Sequence, residues 1–503
     1  MRTPGHIVIL GGGPAGMTAA WRLGEHGIQA TVLEREATVG GMARTIRRGP
    51  YAVDFGPHTF HIRNTDESRK IIETIKPFFG PNPLILTRGT RVLLHGKYYV
   101  YPLELMQVLF GLNPLLSLRI IADYAKATVG SFLNPPRSED SFEAWGVRNL
   151  GRTLYELCFG KYSERVWGLH TSLISSKQAQ RVAKLNLRDI VLRILGIKAD
   201  PAAYFTEYMY PRAGISTLYD NMAARAQEMG GRLLLNSTVT AIEHRAGRVT
   251  AVCFEQNRTA QRLECDGVIN TLALPSLVEM MQPPLPAEVV GHAKQLRYRS
   301  MRLINIVLSR DRLTDFHWVY LTDPQFRCNR MSEQKNVSRD MVPDGETVLV
   351  VELSCWKDDE MWTASDEQVF EVAMRDLMNT GLGIERSEVR DYWVQPLPGA
   401  YPVYELGFED HLIPVLDAVS MANVHTIGRH GLFLNNSMDD NVLLGIRAAD
   451  AIAEKGLDGR SWFKQMQAFS DVRFSGCARF FSSSGSRLRS YISYSVGAPL
   501  NGS

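Results

Sequence analysis

Hydrophobic and polar positions divide the first 34 residues into a strand, a turn, a helix and a second strand. The apolar run at 6–10 predicts a buried strand, and a glycine-rich turn follows it at 11–16. A helical pattern at 17–27 leads to a second β-branched run at 30–33, which ends at Glu34. This order of elements is typical of the unit that binds dinucleotides, so we expect such a site here.

Three glycines of this turn have separate physical roles. Gly11 permits the tight turn, Gly13 lets the backbone approach a pyrophosphate, and Gly16 lets the helix pack close to the strand. The start of the helix offers unpaired N–H groups to the anion. Glu34, 18 residues beyond Gly16, is placed to accept hydrogen bonds from a ribose diol. The residues predicted to bind the cofactor here are Gly11, Gly13, Pro14, Ala15, Gly16 and Glu34.

The most apolar later segment lies at 103–122. Gly111 and Pro114 interrupt it, and it carries Glu104 and Arg119, so we do not expect it to span a bilayer. The pattern favours two short amphipathic helices. Their apolar faces would serve core packing, or form a patch for a membrane surface or a lipid substrate. A peripheral membrane contact therefore stays open.

Composition excludes several classes of protein. The chain has 503 residues with 56 Lys+Arg against 53 Asp+Glu, and the basic residues are scattered, so no nucleic-acid binder is expected. The six cysteines form no C-x-x-C pair or Cys/His cluster, which argues against a disulfide framework and a metal site. Free thiols and the lack of a secretory pattern at the N-terminus predict a cytoplasmic protein.

A second glycine pair follows Glu34 closely. The segment 34–44, E-R-E-A-T-V-G-G-M-A-R, resembles the second FAD contact of the protoporphyrinogen oxidase, amine oxidase, phytoene desaturase and UDP-galactopyranose mutase families. The resemblance implies non-covalent FAD, with Arg35, Gly41, Met42 and Ala43 as further contacts. It also implies an α/β fold, in which a Rossmann-type FAD-binding domain of the amine oxidase type carries inserted helical and mixed-sheet substrate domains.

The same resemblance implies a discontinuous domain order. The FAD-binding parts would be 1–75, 201–285 and 416–460. A mainly helical substrate domain would occupy 76–200 and a substrate-binding sheet domain 286–415, with a C-terminal helix and mobile tail at 461–503. Strands predicted at 232–242 would reach the adenine side, and a strand, loop and helix at 424–453 would hold the pyrophosphate and the flavin. Cofactor contacts implied in these later parts are Val239, Gly428, Arg429, Asn436 and Met438.

A further sequence segment narrows the resemblance to one of these families. The segment 54–61, D-F-G-P-H-T-F-H, resembles the loop beside the flavin ring in UDP-galactopyranose mutases. It implies Gly56, Pro57 and His58 as cofactor contacts and His58 and His61 as catalytic candidates. Arg330 matches the arginine that contacts the substrate diphosphate in that family, and it is also a catalytic candidate. The predicted substrate-binding residues are Tyr162, Trp167, Arg181, Arg330, Tyr401 and Asn435.

The chain departs from the mutases at three positions. Asn435 and Ser437 stand where the mutases have an aromatic residue and a carboxylate, and Leu169 replaces an arginine. These departures resemble protoporphyrinogen-oxidase-like proteins of polysaccharide and antibiotic pathways.

Two functions follow from this mixture. One is redox-neutral pyranose–furanose isomerisation of a nucleotide sugar with the reduced flavin N5 as nucleophile. The sequence contains one dinucleotide-binding turn, which FAD would occupy. NAD(P)H would therefore come from solution as a transient reductant. The other is an oxidase, dehydrogenase or desaturase acting by hydride transfer. The oligomeric state is open, and a dimer is plausible.

Overall fold

The computed structural model describes residues 5–62, 65–101, 103, 105–133, 140–181 and 207–474. Its centre is a five-stranded sheet in which all neighbouring strands run parallel. The strand at Ile7–Leu10 lies in the middle and is fully buried. In spatial order the strands are Arg232–Leu234, Ala30–Leu33, Ile7–Leu10, Gly267–Asn270 and Val424–Thr426.

Two helices pack against each other over this sheet. Pro14–Glu25 follows the first strand, and Met438–Lys455 follows the last. They approach closely at Gly445, where a Cβ would lie 2.6 Å from the carbonyl oxygen of Ala15. The parallel order of strands and this covering layer confirm the predicted α/β class.

The described residues also form three sheets smaller than the five-stranded sheet. A four-stranded sheet begins beside Glu34, because Ser237 donates its N–H to the Glu34 carbonyl at 2.8 Å. Its strands are Thr259–Glu264, Arg248–Gln256, Ser237–Arg245 and Met281–Gln282. A two-stranded sheet consists of Thr45–Arg48 and Tyr51–Asp54, and a three-stranded sheet of Phe60–Ile62, Glu207–Tyr210 and Leu84–Thr87.

A seven-stranded sheet forms the second large layer. Its strand Thr347–Cys355 is buried along its whole length, although it contains Glu352. A buried carboxylate in such a strand requires a partner. The strands in spatial order are Val389–Pro402, Tyr298–Leu308, Thr347–Cys355, Arg330–Glu333, Trp318–Leu321, Thr90–Leu94 and Lys97–Val100.

Helices cover one end of the seven-stranded sheet. The two helices expected at 103–122 are present as Leu105–Gly111 and Pro114–Leu133. The second is longer than predicted, because the helical pattern continues beyond Ala122 without a terminating residue. Asn113 caps its start, accepting the N–H of Leu115 at 2.9 Å. None of the helices in the described part of the chain is long and apolar enough to cross a membrane.

The other helical segments connect and cover the sheets. Short π-helical and 3₁₀ turns at Glu156–Gly160 and Ser176–Arg181 complete the region before residue 182. The remaining α-helices are Asp66–Ile75, Phe142–Leu150, Arg152–Tyr155, Lys161–Trp167, Ser216–Glu228, Leu274–Met280, Ala287–Gln295, Gln334–Val337, Glu360–Thr363, Asp366–Met378, Phe408–Val419, Gly428–Gly431 and Gly459–Phe474.

Candidate functional site

The glycine turn after the central strand has the shape that a bound pyrophosphate requires. Gly11 has a φ of +100°, and a Cβ on Gly16 would collide with the carbonyl oxygen of Gly11. Gly13 precedes the helix Pro14–Glu25, which has no side-chain cap and no acidic residue in its first turn. The positive end of this helix is therefore open to an anion.

Glu34 lies beside this turn with both carboxylate oxygens oriented by the backbone. Its Oε2 accepts the N–H of Gly12 at 2.7 Å, and its Oε1 accepts the N–H of Glu36 at 2.9 Å. The side chain is buried. Each oxygen keeps a lone pair for a further donor, which fits the predicted contact with a ribose diol.

The second glycine pair packs directly on the first. A Cβ on Gly41 would lie 3.0 Å from Cα of Gly13, and Gly40 donates its N–H to Gly12 O at 2.8 Å. Ala43 is buried and Met42 half-buried, whereas the Arg35 side chain is 64% exposed and pairs with Glu36. The two glycine segments thus form one surface without side chains.

The C-terminal loop completes this surface. The Asn441 side chain accepts the N–H of Arg429 at 3.0 Å and donates to Asn436 Oδ1 at 3.0 Å. A Cβ on Gly428 would lie 3.3 Å from Cβ of Ala15, so the loop meets the start of the first helix. Met438, the first residue of the last long helix, is buried, and so is Val239 in the strand beside Glu34.

These residues fit a dinucleotide cofactor. A Cβ on Gly13 would meet no protein atom nearer than Cα of Gly41, at 3.9 Å. The protein therefore leaves space there, beside an uncapped helix start and the carboxylate of Glu34. The individual cofactor contacts remain predictions.

The loop that carries His58 lies against the seven-stranded sheet. Gly56 has a φ of +88°, and a Cβ there would lie 2.7 Å from Oε1 of Glu352. His58 Nδ1 lies 3.2 Å from the Gly56 carbonyl. Burial, together with the positive charges of Arg429 and Arg330, lowers the pKa of His58 to about 4. The imidazole is neutral at pH 7, so it can both donate and accept a hydrogen bond. The intervening Pro57 is half-buried.

His61 lies in a different environment. It belongs to the strand Phe60–Ile62, and its Nδ1 lies 3.9 Å from Oδ1 of Asp439 at the start of the last long helix. Its ring also contacts Tyr208, with the ring centres 5.3 Å apart. The two histidines of the motif therefore face different groups, and His58 is the one beside the arginines.

Arg330 forms a buried ion pair. It is directly opposite Glu352 in the antiparallel register, and its Nε and Nη2 donate to Glu352 Oε1 at 2.9 and 2.6 Å. Tyr320 is opposite Arg330 on the other side, and the guanidinium carbon lies 5.7 Å from its ring centre. Burial acts to lower the pKa of Arg330. The attraction of Glu352, its hydrogen bonds and the neighbouring Tyr320 and Tyr401 together outweigh burial and hold the pKa well above its ordinary value.

Several aromatic rings lie near Arg330. Trp167 and Tyr401 meet edge to face with centres 5.9 Å apart, and the guanidinium of Arg429 lies 5.1 Å from the Tyr401 ring centre. Tyr162 is close to Tyr320, at 6.2 Å between centres. Burial raises the pKa of Tyr162 far above its ordinary value, so its hydroxyl stays protonated.

The structure shows the hydrogen bonds of Asn435 and Ser437, two of the positions that depart from the mutases. The backbone N–H of Asn435 donates to the Tyr404 hydroxyl at 2.6 Å. Its side-chain Oδ1 is buried and accepts no hydrogen bond from the described residues, so it can receive one from a ligand. The Ser437 hydroxyl donates to Asp440 at 2.8 Å in the cap of the last long helix. The side chain of Arg181 lies outside the described part of the structure.

Sequence reasoning missed a second buried carboxylate, Asp54, which supports the His58 loop. Tyr210 donates its hydroxyl to Asp54 at 2.5 Å, and Thr45 donates to it at 2.7 Å. Gln334, four residues after Arg330, accepts the N–H of Asp54 at 3.3 Å. Burial raises the pKa of Asp54 to about 7. Glu352 was missed as well. For Asp54 and for Glu352, the sequence signal that could have indicated a buried carboxylate was a single acidic residue inside an apolar strand.

The described residues contain no group of three or more His, Cys, Asp or Glu side chains that could hold a metal ion. Cys158, Cys253, Cys265, Cys328 and Cys355 are free thiols.

Curated relatives are similar to parts of this chain or to most of it. A dTDP-fucopyranose mutase of Escherichia coli is 24% identical over 43% of this chain and 53% of its own length. A probable UDP-galactopyranose mutase of Klebsiella pneumoniae is 25% identical over 35% of this chain and 44% of its own length. An L-amino-acid oxidase of Siganus canaliculatus is 24% identical over 91% of this chain and 87% of its own length. The chain thus spans about half the length of the two mutases.

Solved structures share the fold. A reduced UDP-galactopyranose mutase superposes with a TM-score of 0.78 at 19% identity, covering 92% of this chain and 97% of that one. A putative protoporphyrinogen oxidase from Exiguobacterium superposes with a TM-score of 0.66 at 17% identity, covering 89% and 98%.

The predicted resemblance is confirmed by these matches and by a family model. The model described as flavin containing amine oxidoreductase matches residues 14–453, which include the glycine turn from Pro14 onwards, the His58 loop and the C-terminal loop. Both mutase and oxidase relatives carry the same fold, so the fold does not distinguish between their reactions. Its sequence and its architecture together place this chain in the family of flavin containing amine oxidoreductases.

Proposed function

We propose that this chain binds FAD and catalyses a redox-neutral pyranose–furanose isomerisation of a nucleotide sugar. Family membership implies FAD. The observation that carries the proposal is the grouping of Arg330, Tyr401 and Trp167 beside the His58 loop. A cation, a hydroxyl and an aromatic face next to a flavin would suit a sugar joined to a nucleoside diphosphate.

Arg330 is the proposed contact for the diphosphate. Its Nε and Nη2 bind Glu352, while its Nη1 makes no hydrogen bond to the described residues. A planar guanidinium can keep its counter-ion on one side and donate to a phosphate oxygen on the other. The Tyr401 hydroxyl, which lies near Arg330, would be a second donor.

The remaining residues would position the two ligands. Gly11, Gly13 and Gly16 with Glu34 would hold the nucleotide half of FAD, and the loop around Arg429 and Asn436 its flavin half. Bound in its reduced form, FAD supplies a nucleophilic nitrogen, N5, for attack at the anomeric carbon. Neutral His58 would hold a hydrogen bond to an oxygen of the flavin or the sugar. Trp167 would cover one face of the ligand, and Asn435 would accept a hydrogen bond from a sugar hydroxyl.

A second candidate function is oxidation by hydride transfer to FAD. Two observations favour it. The L-amino-acid oxidase relative matches 91% of this chain. The Ser437 hydroxyl is engaged in a helix cap, so it does not replace the mutase carboxylate. The substrate would then lose a hydride to oxidised FAD, and oxygen or another acceptor would reoxidise the cofactor.

The test is anaerobic incubation of the reduced and the oxidised enzyme with a panel of nucleotide sugars. Chromatography would resolve the isomers, and NADH or NADPH would be compared with dithionite as the reductant. An isomer formed by the reduced enzyme alone supports the mutase proposal. If no nucleotide sugar isomerises and an oxidised product forms, the second function replaces it.

A further inference from the structure

The helix Pro114–Leu133 has an apolar face turned to solvent. Leu115, Leu118 and Val129 are 76%, 64% and 64% exposed. Ile121, at 51%, and Phe110 of the preceding helix, at 82%, are exposed nearby along the chain. Single exposed apolar residues are ordinary, but a helical row of them marks a binding surface. The apolar helix face consists of Leu115, Leu118, Ala122, Ala125 and Val129, which recur every three or four residues and are all exposed.

The opposite side of this helix packs against neighbouring parts of the chain. Ser117 is buried, and its hydroxyl donates to the Leu109 carbonyl at 2.7 Å. The Asp123 carboxylate accepts the N–H of Thr153 at 3.1 Å. A Cβ on Gly151 would lie 2.8 Å from the backbone of Asp123, so the neighbouring chain touches the helix directly. The apolar helix face is therefore not exposed by loose packing.

The charges next to this face have one sign. Arg119 and Lys126 are exposed and stand seven residues apart, on the same side of the helix as Leu115. The acidic residue of the helix, Asp123, is half-buried and accepts hydrogen bonds from Thr153, and the charges of Arg119 and Lys126 also act on it. Every exposed charged side chain described on this helix is thus a cation. An amphipathic surface helix with this pattern is attracted to anionic lipid headgroups.

We propose that the apolar helix face binds the surface of an anionic lipid bilayer. Its apolar side chains would enter the boundary between headgroups and acyl chains, with Arg119 and Lys126 at the lipid phosphates. A second copy of the chain fits less well, because a two-fold contact through this face would bring the same cations together with no exposed carboxylate of the helix to pair with them. The proposed contact is peripheral, through one face of a surface helix.

The experiment is flotation of the FAD-loaded, full-length protein with two kinds of vesicle, phosphatidylcholine alone and phosphatidylcholine with phosphatidylglycerol. One variant, Leu118→Ser/Val129→Ser, removes apolar contacts. Another, Arg119→Ala/Lys126→Ala, removes the cations. Matched controls change exposed residues elsewhere: Met378→Ser, at a position 55% exposed, and Arg258→Ala/Lys294→Ala. The flavin spectrum verifies that each variant is folded.

We expect the protein and both controls to float with the anionic vesicles and to be released by salt. Removing the cations should lower partitioning by a factor of about five for each residue. The Leu118→Ser/Val129→Ser variant should remain in the soluble fraction. No binding to the anionic vesicles, or equal binding by this variant, would overturn the proposal. A protein that does not bind vesicles but forms a dimer, which the Leu118→Ser/Val129→Ser variant dissociates, would also overturn the proposal. The apolar helix face would then be assigned to contact with a second copy.

Discussion

Arg330 and Glu352 face each other across two antiparallel strands, and two N–H groups of the guanidinium converge on one carboxylate oxygen at 2.9 and 2.6 Å. Both side chains are largely buried. The pair touches the loop of His58, because Gly56 has room for no side chain beside Glu352. An anionic substrate would therefore meet a cation whose orientation is already fixed.

The first prediction concerns Arg330 itself. Arg330→Ala should lower kcat/KM by about 10–100-fold, since a charge-assisted hydrogen bond worth ~1.5–3 kcal/mol is lost. Steady-state kinetics with the isomerised sugar measures this. Arg330→Lys keeps the charge without the planar fork and should lie between wild type and Arg330→Ala.

Arg386→Ala is the matched control, because Arg386 forms an exposed pair with Glu371 and should leave the kinetics unchanged. The flavin spectrum should remain intact in every variant. Loss of FAD from Arg330→Ala would assign Arg330 to the cofactor site instead.

The second prediction concerns the partner carboxylate. Glu352→Gln leaves the buried Arg330 cation without a counter-ion, so the free energy of unfolding should fall by about 3–5 kcal/mol. Chemical denaturation measures the loss. The double variant Arg330→Met/Glu352→Leu should recover much of it, because both charges are removed together. Equal stability of Glu352→Gln and wild type would show that the pair is not a structural requirement.

The third prediction separates cofactor binding from folding. Gly13→Val should abolish FAD binding while the protein folds, because a Cβ on Gly13 would meet no protein atom nearer than Gly41 Cα, at 3.9 Å. Gly16→Ala should destabilise the protein even without FAD, since its Cβ would collide with Gly11. Gly291→Ala is the control, at a helical position with nothing within 4 Å. FAD titration and thermal unfolding measure both properties, and tight FAD binding by Gly13→Val would contradict the account.

The fourth prediction is a pH dependence due to Asp54. Its pKa is about 7 in the folded protein against an ordinary value of 3.8, so folding favours the protonated form. Its contribution to stability is therefore full below about pH 4 and is lost as the pH rises through 7, by on the order of 2–4 kcal/mol. Asp54→Asn stays neutral and should lack this loss. The free energy of unfolding of wild type and Asp54→Asn is measured between pH 5 and 8.5. If the two proteins show the same pH dependence, the role assigned to Asp54 is contradicted.

The local elements of the cofactor region were predictable from the sequence. The strand at Ile7–Leu10 and the helix at Pro14–Glu25 follow from apolar periodicity and from the glycines, which are local signals. The C-terminal strand and helix were predicted in the same way, and the helix begins at Met438. Asp440 and Ser437 cap this start, and a cap involves only neighbouring residues.

The interior of the candidate site was less predictable, because its contacts join distant parts of the chain. Nothing in the sequence near Arg330 indicates that residue 352 is its partner, since that pairing depends on the register of two strands. The hydrogen bond from Tyr210 to Asp54 likewise joins residues 156 positions apart. Trp167 and Tyr401 were both predicted as substrate-binding residues from the resemblance alone. In the structure their rings are in contact.

The most direct test of the proposed reaction is the ratio of product formed to reductant consumed under anaerobic conditions. If the reaction is redox-neutral, one equivalent of dithionite per FAD should support many turnovers of a nucleotide sugar. Hydrogen peroxide formed after air is admitted should not exceed the amount that reoxidation of the reduced flavin itself yields. Oxidised enzyme should give no isomer. A product formed only by oxidised enzyme, one-for-one with hydrogen peroxide or a reduced acceptor, would contradict the mutase proposal and establish hydride transfer instead.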